Sequence, residues 1–403
     1  MRKGTTARLL GALSLAGVVM ITSACSSGGG SETAAPSSGP ALQVFMSMGQ
    51  TGLLAPSAKA VIRGAQAAVD SINKDGGLQG RKIKVQIGDN QSDPTRGVTL
   101  VQDAIASDAK PDLVVTGVSS NEALALAPVL SRSEVVGIGP ASSLALNDPV
   151  KYPYFWSQSA AQQYLIAGVA DYVKKAGGKK ITFVGTDDAL GDAIADALHS
   201  GAEKDNLTIT EHRFKADAVD VTPAFQAAVA DKPDFIYMDA AGTQAGTLLT
   251  SREKGGATGI DTIAGVVMAS QPLLDLAKGT DEMDKVKTVF LPTAFYTPPA
   301  KRSAQFAEFY KDVTAQGPLE VPLSTYAAGW DTIKIWADAV GQVKGDITGP
   351  SVRDQLNKLS PSHSRLFFKK TFPKGSNFAL PVLGEFIIGT PTGTKDGMFT
   401  YTP

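Results

Sequence analysis

Small hydroxyl-bearing residues cluster in two loops of this chain, each directly after an apolar run that is typical of a buried strand. The first loop lies within "TGVSSNEALALAPVL", which begins at Thr116, and the second within "GIGPASSLAL", which begins at Gly137. Their candidate functional residues are Ser119, Ser120, Asn121, Ala141, Ser142 and Ser143. Backbone N–H groups and hydroxyls at the start of a helix bind anions, and a carboxylate suits such a site. Because Ser and Asn are also favoured N-caps, the loops either bind an anionic group or only cap helices.

Patterns typical of catalysis and of nucleotide binding are weak in this chain. The three histidines lack a metal-ligand spacing, and no second cysteine is present for zinc. Two SxxK matches, at Ser71 and Ser107, fall near predicted helix ends without the SDN or KTG motifs of β-lactamases. The stretch "GIGPAS" carries a serine where a dinucleotide fingerprint needs its last glycine. The sequence therefore predicts no metal, no cofactor and no enzymatic activity.

The single cysteine, Cys25, follows a segment with the plan of an export signal. Three basic residues precede an apolar run of 13 residues that ends at Ile21, and this run is shorter than the roughly 20 residues needed to span a bilayer. The next letters, "TSAC", resemble a bacterial lipobox, with threonine where an aliphatic residue is usual. The resemblance implies cleavage of residues 1–24, lipidation of Cys25 and a flexible tether over residues 25–40. The alternative is a secreted protein with a free thiol, which exported proteins tend to avoid.

Composition narrows the possible partners. Loss of residues 1–24 removes three basic residues, so 379 residues remain and the formal net charge changes from −1 to −4. That modest acidity argues against nucleic acid, which requires a basic face. The length predicts two domains, and 43% hydrophobic residues suffice for a packed core without disulfides. No later segment predicts a transmembrane helix, so we expect membrane contact through the lipid anchor only.

Strand-like and helix-like segments alternate along the rest of the chain. The short β-rich runs are residues 83–87, 113–115, 135–138, 181–184, 235–238 and 288–291. Apolar residues at helical spacing lie between these runs, for example Val98, Val101 and Ile105. Such alternation predicts an α/β fold in which helices cover both faces of parallel sheets.

The alternation falls into two series, at about residues 41–150 and 180–290. Two series of similar size predict two Rossmann-like lobes with a cleft between them. Ligands of open α/β sheets bind beyond the carboxyl ends of the strands. Both hydroxyl-rich loops follow strands of the first series, so the cleft is the predicted site.

A long segment resembles one family of solute receptors. "RGAQAAVDSINKDGGLQGRKIKVQIGDNQSDPTRGVTLVQDAI", which begins at Arg63, is similar to the opening of the periplasmic branched-chain amino-acid binding proteins. These leucine-binding-protein-like proteins are the type I solute receptors of ABC importers. Later stretches, "GTDDALGDAIADAL", "KPDFIYMDAAGTQAGTLL" and "STYAAGWDTIKIWADAV", resemble the family in the same order. The resemblance covers about residues 41–345.

The resemblance implies the type I periplasmic binding protein fold, in which three hinge crossovers join two lobes. The expected boundaries are residues 41–160 and 292–375 for lobe 1, and residues 161–291 and 376–403 for lobe 2. Residues after about 345 match the family poorly, and their strands are not assigned from the sequence.

The resemblance also assigns roles to single residues. Ser120 and Ser143 are expected to meet the ligand carboxylate, and Ala141 to offer its backbone. Positions that often carry an aromatic residue in relatives are here Ser57, Leu190 and Ala241. Relatives that bind amino acids hold the ligand ammonium with an acid where this chain has Val267. Because a buried ammonium without a partner is costly, either Asp239 supplies the charge or the ligand has none.

These expectations together describe an exported, monomeric lipoprotein on the extracytoplasmic face of a bacterial membrane. It would capture a small carboxylate-bearing molecule, either a branched-chain amino acid or a related aliphatic or aromatic acid, and deliver it to an ABC permease. The alternative is a ligand sensor of the same fold that acts in signalling.

Overall fold

The computed structural model describes most of the chain after the predicted tether. The described residues are 39–159, 162–240, 244–268, 274–275, 283, 285–290, 294–359, 372, 375–379 and 387–402. The predicted export signal, Cys25 and Ala241 lie outside them. Within them, no helix is both long enough and apolar enough to cross a membrane.

The first sheet has five strands, and all its pairs are parallel. The strand order is β2-β1-β3-β4-β5. The strands are β1 (Leu42–Met48), β2 (Ile83–Asp89), β3 (Leu113–Val115), β4 (Val136–Gly139) and β5 (Phe155–Ser157). Strands β3, β4 and β5 are buried throughout, as expected of parallel strands that are covered on both faces.

The second sheet has seven strands in the order β12-β11-β10-β9-β8-β6-β7. The strands are β6 (Lys180–Thr186), β7 (Thr208–Phe214), β8 (Phe235–Asp239), β9 (Asp261–Ala264), β10 (Val286–Phe290), β11 (Ile387–Lys395) and β12 (Met398–Thr402). Strands β6 to β10 are parallel, whereas β11 and β12 add an antiparallel hairpin at one edge. The turn of this hairpin is Asp396-Gly397, and both residues have positive φ. This hairpin was not assigned from the sequence.

Helices cover both sheets. Around the first sheet lie α1 (Ala55–Lys74), α2 (Pro94–Ala106), α3 (Ser120–Ser133), α8 (Ala304–Thr314), α9 (Leu323–Gln342) and α10 (Gly349–Leu356). Around the second lie α4 (Gln162–Lys175), α5 (Ala189–Asp205), α6 (Thr222–Ala230) and α7 (Gln244–Lys254). Separate buried cores accompany the two sheets.

Local sequence rules explain where α2 begins and how α1 passes into β2. The Asp93 carboxylate accepts hydrogen bonds from the backbone of Thr95 and Arg96, and Pro94 occupies the first helical position. Three glycines between α1 and β2 have positive φ, which a residue with a Cβ adopts only at a cost; they are Gly76, Gly77 and Gly80.

Helices α1 and α9 approach each other closely because each carries a glycine at the contact. A Cβ on Gly64 would lie 1.9 Å from the Tyr326 carbonyl oxygen, and one on Gly329 would lie 1.9 Å from that of Val61. Larger residues at either position would push the helices apart. This contact holds the C-terminal helices on the first sheet, although β6 to β10 come between them in the chain.

The chain passes between the two sheets three times, which confirms the type I two-lobe fold predicted from the sequence. It leaves the first sheet after β5, returns after β10, and leaves again before β11. Before the last passage, Phe378 forms a β-bridge with Ser157, the last residue of β5. Asn377 donates hydrogen bonds to the carbonyls of Leu146 and Tyr152. Residues 376–379, which the sequence had assigned to lobe 2, therefore contact the first sheet. The other lobe boundaries stay predictions.

Candidate ligand-binding site

A cavity of about 220 Å³ lies where the carboxyl ends of strands from both sheets meet. One side follows β1 to β4, and the other follows β6 and β7 and includes the start of α7. The apolar lining includes Leu53, Leu54, Pro94, Val118, Leu190 and Ala216. The polar lining includes Ser119, Ser120, Asn121, Ser142, Asp188 and Gln244. The cavity thus occupies the cleft predicted from the order of strands and helices.

Ser119 has a structural task at this site. It is the N-cap of α3: its hydroxyl accepts from the Glu122 backbone N–H, and the Glu122 carboxylate accepts from the Ser119 N–H at 2.9 Å. Glu122 is buried, and it also accepts from the Asn90 side chain at 2.7 Å. Of the two interpretations of the hydroxyl-rich loops, helix capping describes Ser119.

Ser120 joins the two hydroxyl-rich loops. It is the first residue of α3, and its Oγ accepts hydrogen bonds from the backbone N–H groups of Ser142 and Ser143, each at 3.2 Å. A hydroxyl that accepts two bonds still has its own hydrogen to donate. This donor lies at the positive end of the α3 dipole, which is a position that favours an anionic group.

The second loop contains two buried residues and a partly exposed serine, Ser142. Ala141 and Ser143 are buried, and the Ala141 carbonyl accepts from the Ser157 hydroxyl. Ser143 lies beside Ser120, whereas Pro140 and Ser142 line the cavity from this loop. The expected contact of Ser143 with a ligand stays a prediction.

The glycines of "GIGPAS" serve packing between β4 and its neighbours. A Cβ on Gly137 would lie 2.3 Å from the Leu130 side chain, and one on Gly139 would lie 2.2 Å from the Thr116 hydroxyl. Packing therefore accounts for the glycines of this stretch. Its resemblance to a dinucleotide fingerprint needs no bound nucleotide as an explanation.

The second-lobe side of the cavity is built around the start of α5. Asp188 caps this helix: its Oδ1 accepts from the backbone of Leu190 and Gly191 and from the Thr186 hydroxyl. Arg213 on β7 braces the same loop by donating to the Thr186 carbonyl at 2.7 Å. Leu190, where relatives often carry an aromatic residue, thereby reaches the cavity.

Within the described part of the chain, one hydrogen bond crosses the cleft. The Asn121 side-chain oxygen, at the start of α3, accepts from the backbone N–H of Ala189, at the start of α5, at 3.3 Å. The two helices that flank the cavity from opposite lobes are therefore in direct contact. The structure shows the lobes drawn together over the cavity.

The comparison with known families agrees with this architecture. A family model described as periplasmic binding protein matches residues 43–377. The chain belongs to this family. The resemblance predicted from the sequence is thus confirmed.

Individual relatives are more distant. The Leu/Ile/Val-binding protein homolog 3 of Brucella melitensis is 27% identical over 167 residues, which are 39% of this chain and 43% of that protein. The chain thus spans less than half the length of this curated relative.

Solved structures agree with the fold at lower identity. The substrate-binding protein LivJ of Streptococcus pneumoniae, in complex with isoleucine, is 18% identical with a TM-score of 0.70, and the match covers 90% of this chain and 100% of that one. A solute-binding protein of R. palustris, in complex with benzoate, is 20% identical with a TM-score of 0.74, and the match covers 90% and 95%. At these identities the likeness shows the fold alone.

Asp239, the proposed partner of a ligand ammonium, is buried at the carboxyl end of β8 in this periplasmic binding protein. Burial raises the pKa of Asp239 to about 7, against a smaller lowering effect of the Tyr237 hydroxyl at 3.3 Å. Its Oδ2 packs on Gly265, where a Cβ would lie 1.8 Å away. Asp239 is not among the residues that line the cavity.

Three further residues that the sequence predicts at the site either do not line the cavity or are not fully described by the structure. Ser57 lies half-buried in the first turn of α1 and does not line the described cavity. Val267 lies in a short 3-10 turn after β9, and its side chain is outside the described part of the structure. Ala241, as stated, lies outside the described residues.

Gln244, the first residue of α7, is a cavity residue that the sequence did not predict. It is 5% exposed, and its Nε2 donates to the carbonyls of Ala216 and Ala218 at 2.6 and 2.9 Å. Its Oε1 is buried without a hydrogen-bond partner among the residues that the structure describes. Glutamine at a helix start carries no sequence signal for this arrangement, because both carbonyls come from a distant loop.

The described residues contain no group of three or more metal-ligating side chains. Two of the histidines pair with carboxylates of the second lobe: His199 with Glu211 at 2.7 Å, and His212 with Asp231 at 2.9 Å. These pairs account for both side chains without a metal ion.

Proposed function

We propose that this protein is an extracytoplasmic solute receptor that captures a small carboxylate-bearing molecule and delivers it to an ABC permease. The observation that carries the proposal is the Ser120 hydroxyl at the cavity wall, held by the Ser142 and Ser143 backbone at the N-terminus of α3. Hydroxyl and N–H donors at a helix start favour a carboxylate without any cationic side chain.

The ligand body is proposed to be aliphatic or aromatic. Leucine, valine and proline side chains line the cavity on both lobes, and burying apolar surface there favours binding. The name of the Brucella relative refers to leucine, isoleucine and valine, and the two solved neighbours hold isoleucine and benzoate. Branched-chain amino acids and amine-free carboxylates are therefore both candidates.

Capture works through a shift between open and closed arrangements of the lobes. A ligand that touches both walls favours the closed arrangement by its additional contacts there. Hinge closure of this kind gives a permease a surface that differs between the loaded and the empty receptor. No bond of the ligand is made or broken in this mechanism.

The anchoring proposal rests on the sequence around Cys25. Acylation of this cysteine would hold the receptor, which we expect to be a monomer, at the membrane surface. Residues 26–40 would form a flexible tether between the lipid and the folded chain.

A thermal-shift screen tests the ligand class. The mature chain is heated with L-leucine, L-isoleucine, 4-methylpentanoate and benzoate, each over a range of concentrations. A ligand at 100 times its Kd adds about 2.7 kcal/mol to the free energy of unfolding, which appears as a rise in Tm. A rise with at least one carboxylate, absent with the corresponding primary amide, supports the proposal. Equal rises with acid and amide, or none with any acid, would contradict it.

A further inference from the structure

A buried hydrogen bond joins two segments of the chain that build the first-lobe side of the cavity. The Asn90 Nδ2 donates to the Glu122 carboxylate at 2.7 Å and to the Ser47 hydroxyl at 3.1 Å, and each of these three residues is at most 1% exposed. In the first sheet, β1 lies between β2 and β3. Because Asn90 follows β2 and Glu122 follows β3, this bond links, across the end of β1, two segments whose strands are not neighbours.

Glu122 holds the polar part of this wall. Its carboxylate accepts from the backbone N–H groups of Val118 and Ser119, at 3.1 and 2.9 Å. Gly117 has a φ of +89°, and a Cβ there would lie 2.5 Å from the Glu122 carboxylate. The chain thus folds around the carboxylate before it begins α3, which brings Ser120 to the cavity.

Asn90 holds the apolar part of the same wall through Ser92. The Asn90 side-chain oxygen accepts from the Ser92 backbone N–H at 2.9 Å, and the Ser92 hydroxyl accepts from the Leu54 backbone N–H at 3.0 Å. Leu53 and Leu54 line the cavity, as does Ser92. Gln91 and Ser92 have φ values of 58° and 61°, a conformation that residues with a Cβ keep only where their surroundings hold it. The Asn90 side chain supplies one of those restraints.

The pair of Asn90 and Glu122 therefore connects the apolar and the polar halves of one wall. We propose that Asn90 and Glu122 are positioning residues that set the distance between the two leucines and the Ser120 hydroxyl. A ligand then fits its apolar end and its carboxylate to both halves at one chain length, so the pair governs specificity for ligand length although it does not line the cavity. This inference rests on the proposed function.

An exchange of chemistry between the two side chains tests the inference. Asn90→Asp brings two carboxylates face to face, and Glu122→Gln brings an amide donor against another donor, so each single change breaks the arrangement. In the double variant Asn90→Asp/Glu122→Gln, an amide again meets a carboxylate. The bond between the two positions is then restored with donor and acceptor reversed.

Isothermal titration calorimetry measures specificity for length with two matched series of probes. L-valine, L-leucine and L-homoleucine form one series, and 3-methylbutanoate, 4-methylpentanoate and 5-methylhexanoate form the other. In a series that binds, we expect the Kd values of the weakest and the tightest member to differ by about tenfold or more for the unmodified protein. Each single variant should reduce this ratio to about threefold or less, and the double variant should return it to about tenfold.

Asn73→Ala is the matched control for a loss of stability. The Asn73 side chain makes two hydrogen bonds to the backbone of Ile83, at the end of β2 remote from the cavity. This change should lower the midpoint of urea unfolding and leave the ratio of Kd values unchanged.

The possible outcomes separate the inference from the proposed function. A ratio below about threefold in the unmodified protein, single variants that lose stability but keep the ratio, or a double variant that does not regain it would overturn the inference while the proposed function stands. Failure of both series to bind the unmodified protein would instead overturn the proposed function, and this inference with it.

Glu122→Asp covers the case in which a single variant of the exchange does not fold. It keeps a carboxylate but is one methylene shorter, so it cannot reach both Asn90 and the backbone of Val118 and Ser119. The ratio of Kd values should again fall to about threefold or less. An unchanged ratio in Glu122→Asp would contradict the inference.

Discussion

Asn121 and Ala189 connect the two lobes across the cavity through a single hydrogen bond from the Ala189 N–H to the Asn121 side chain. Each residue lies in the first turn of a helix, and these helices approach the cavity from opposite sides. A bond in this position stabilises the closed arrangement but contributes nothing once the lobes separate. It therefore acts on the balance between the two arrangements rather than on the fold of either lobe.

Asn121→Ala should shift the ligand-free protein toward the open arrangement. One net hydrogen bond contributes about 1 kcal/mol, so the ratio of closed to open molecules should fall roughly fivefold. Small-angle X-ray scattering of the ligand-free protein should show a larger radius of gyration than before. Asn357→Ala, at an exposed position after α10, is the control. An unchanged radius of gyration in Asn121→Ala would show that this bond does not govern closure.

Ser119 and Ser120 are neighbours with different expected roles, so their alanine variants should differ in kind. Ser119→Ala removes the cap of α3 and should lower the free energy of unfolding by about 1 kcal/mol while affinity stays nearly unchanged. Ser120→Ala removes a donor at the cavity and should weaken carboxylate binding by about tenfold. Urea unfolding and calorimetry measure the two effects. If both variants lost stability but kept their affinity for the carboxylate, helix capping would be the role of this loop.

Local chemistry accounts for the parts of the fold that the sequence predicted. Asp93 and Pro94 start α2, as the pair predicts, because a carboxylate acceptor and a residue without an N–H suit a helix start in any context. The hydroxyl-rich loops lie at the cavity because parallel strands bring their carboxyl ends to one edge of a sheet. Such rules act over a few residues, so a single sequence contains them.

The parts that were missed depend on distant partners. Gln244 is fixed by the carbonyls of Ala216 and Ala218, and nothing in its own segment indicates that contact. The β11–β12 hairpin did have a local signal, since Asp396-Gly397 is a dipeptide typical of a tight hairpin turn. Strand β11 is rich in threonine and lacks alternating apolar residues, so its membership in the second sheet follows from tertiary packing.

Cys25→Ser tests the proposed anchor. The cysteine sulfur is the atom that would carry the lipid, so serine at this position should abolish incorporation of labelled palmitate in a bacterial host. The control is Ser27→Ala, two residues along the tether. Equal labelling of Cys25→Ser and the unmodified protein would exclude a lipid on this residue.

Asp239→Asn tests the buried carboxyl at the end of β8 through the pH dependence of stability. Burial raises its pKa to about 7 in the folded state from its ordinary value of 3.8, so the folded protein retains a proton that the unfolded chain releases. The contribution of Asp239 to stability is therefore greatest below about pH 4, falls as the pH rises, and is constant again above about pH 7. The stability that Asp239 contributes below pH 4 exceeds its contribution above pH 7 by about 4 kcal/mol at most. Because Asn stays neutral, Asp239→Asn should be several kcal/mol more stable than the unmodified protein at pH 8 and no more stable at pH 4.

Asp220 serves as a comparison, because its contribution to stability changes with pH in the direction opposite to that of Asp239. The Thr222 hydroxyl lowers the pKa of Asp220, so that residue contributes stability that is lost as the pH falls. Asp220→Asn should therefore lose stability relative to the unmodified protein at pH 8 and lose less at low pH. Urea unfolding of both variants and of the unmodified protein from pH 8 to below pH 3.8, where the Asp220 contribution is lost, gives the differences directly. If the Asp239→Asn difference did not change over this range, the Asp239 carboxyl would be ionised in the folded protein, and a cation beside it would have to be sought.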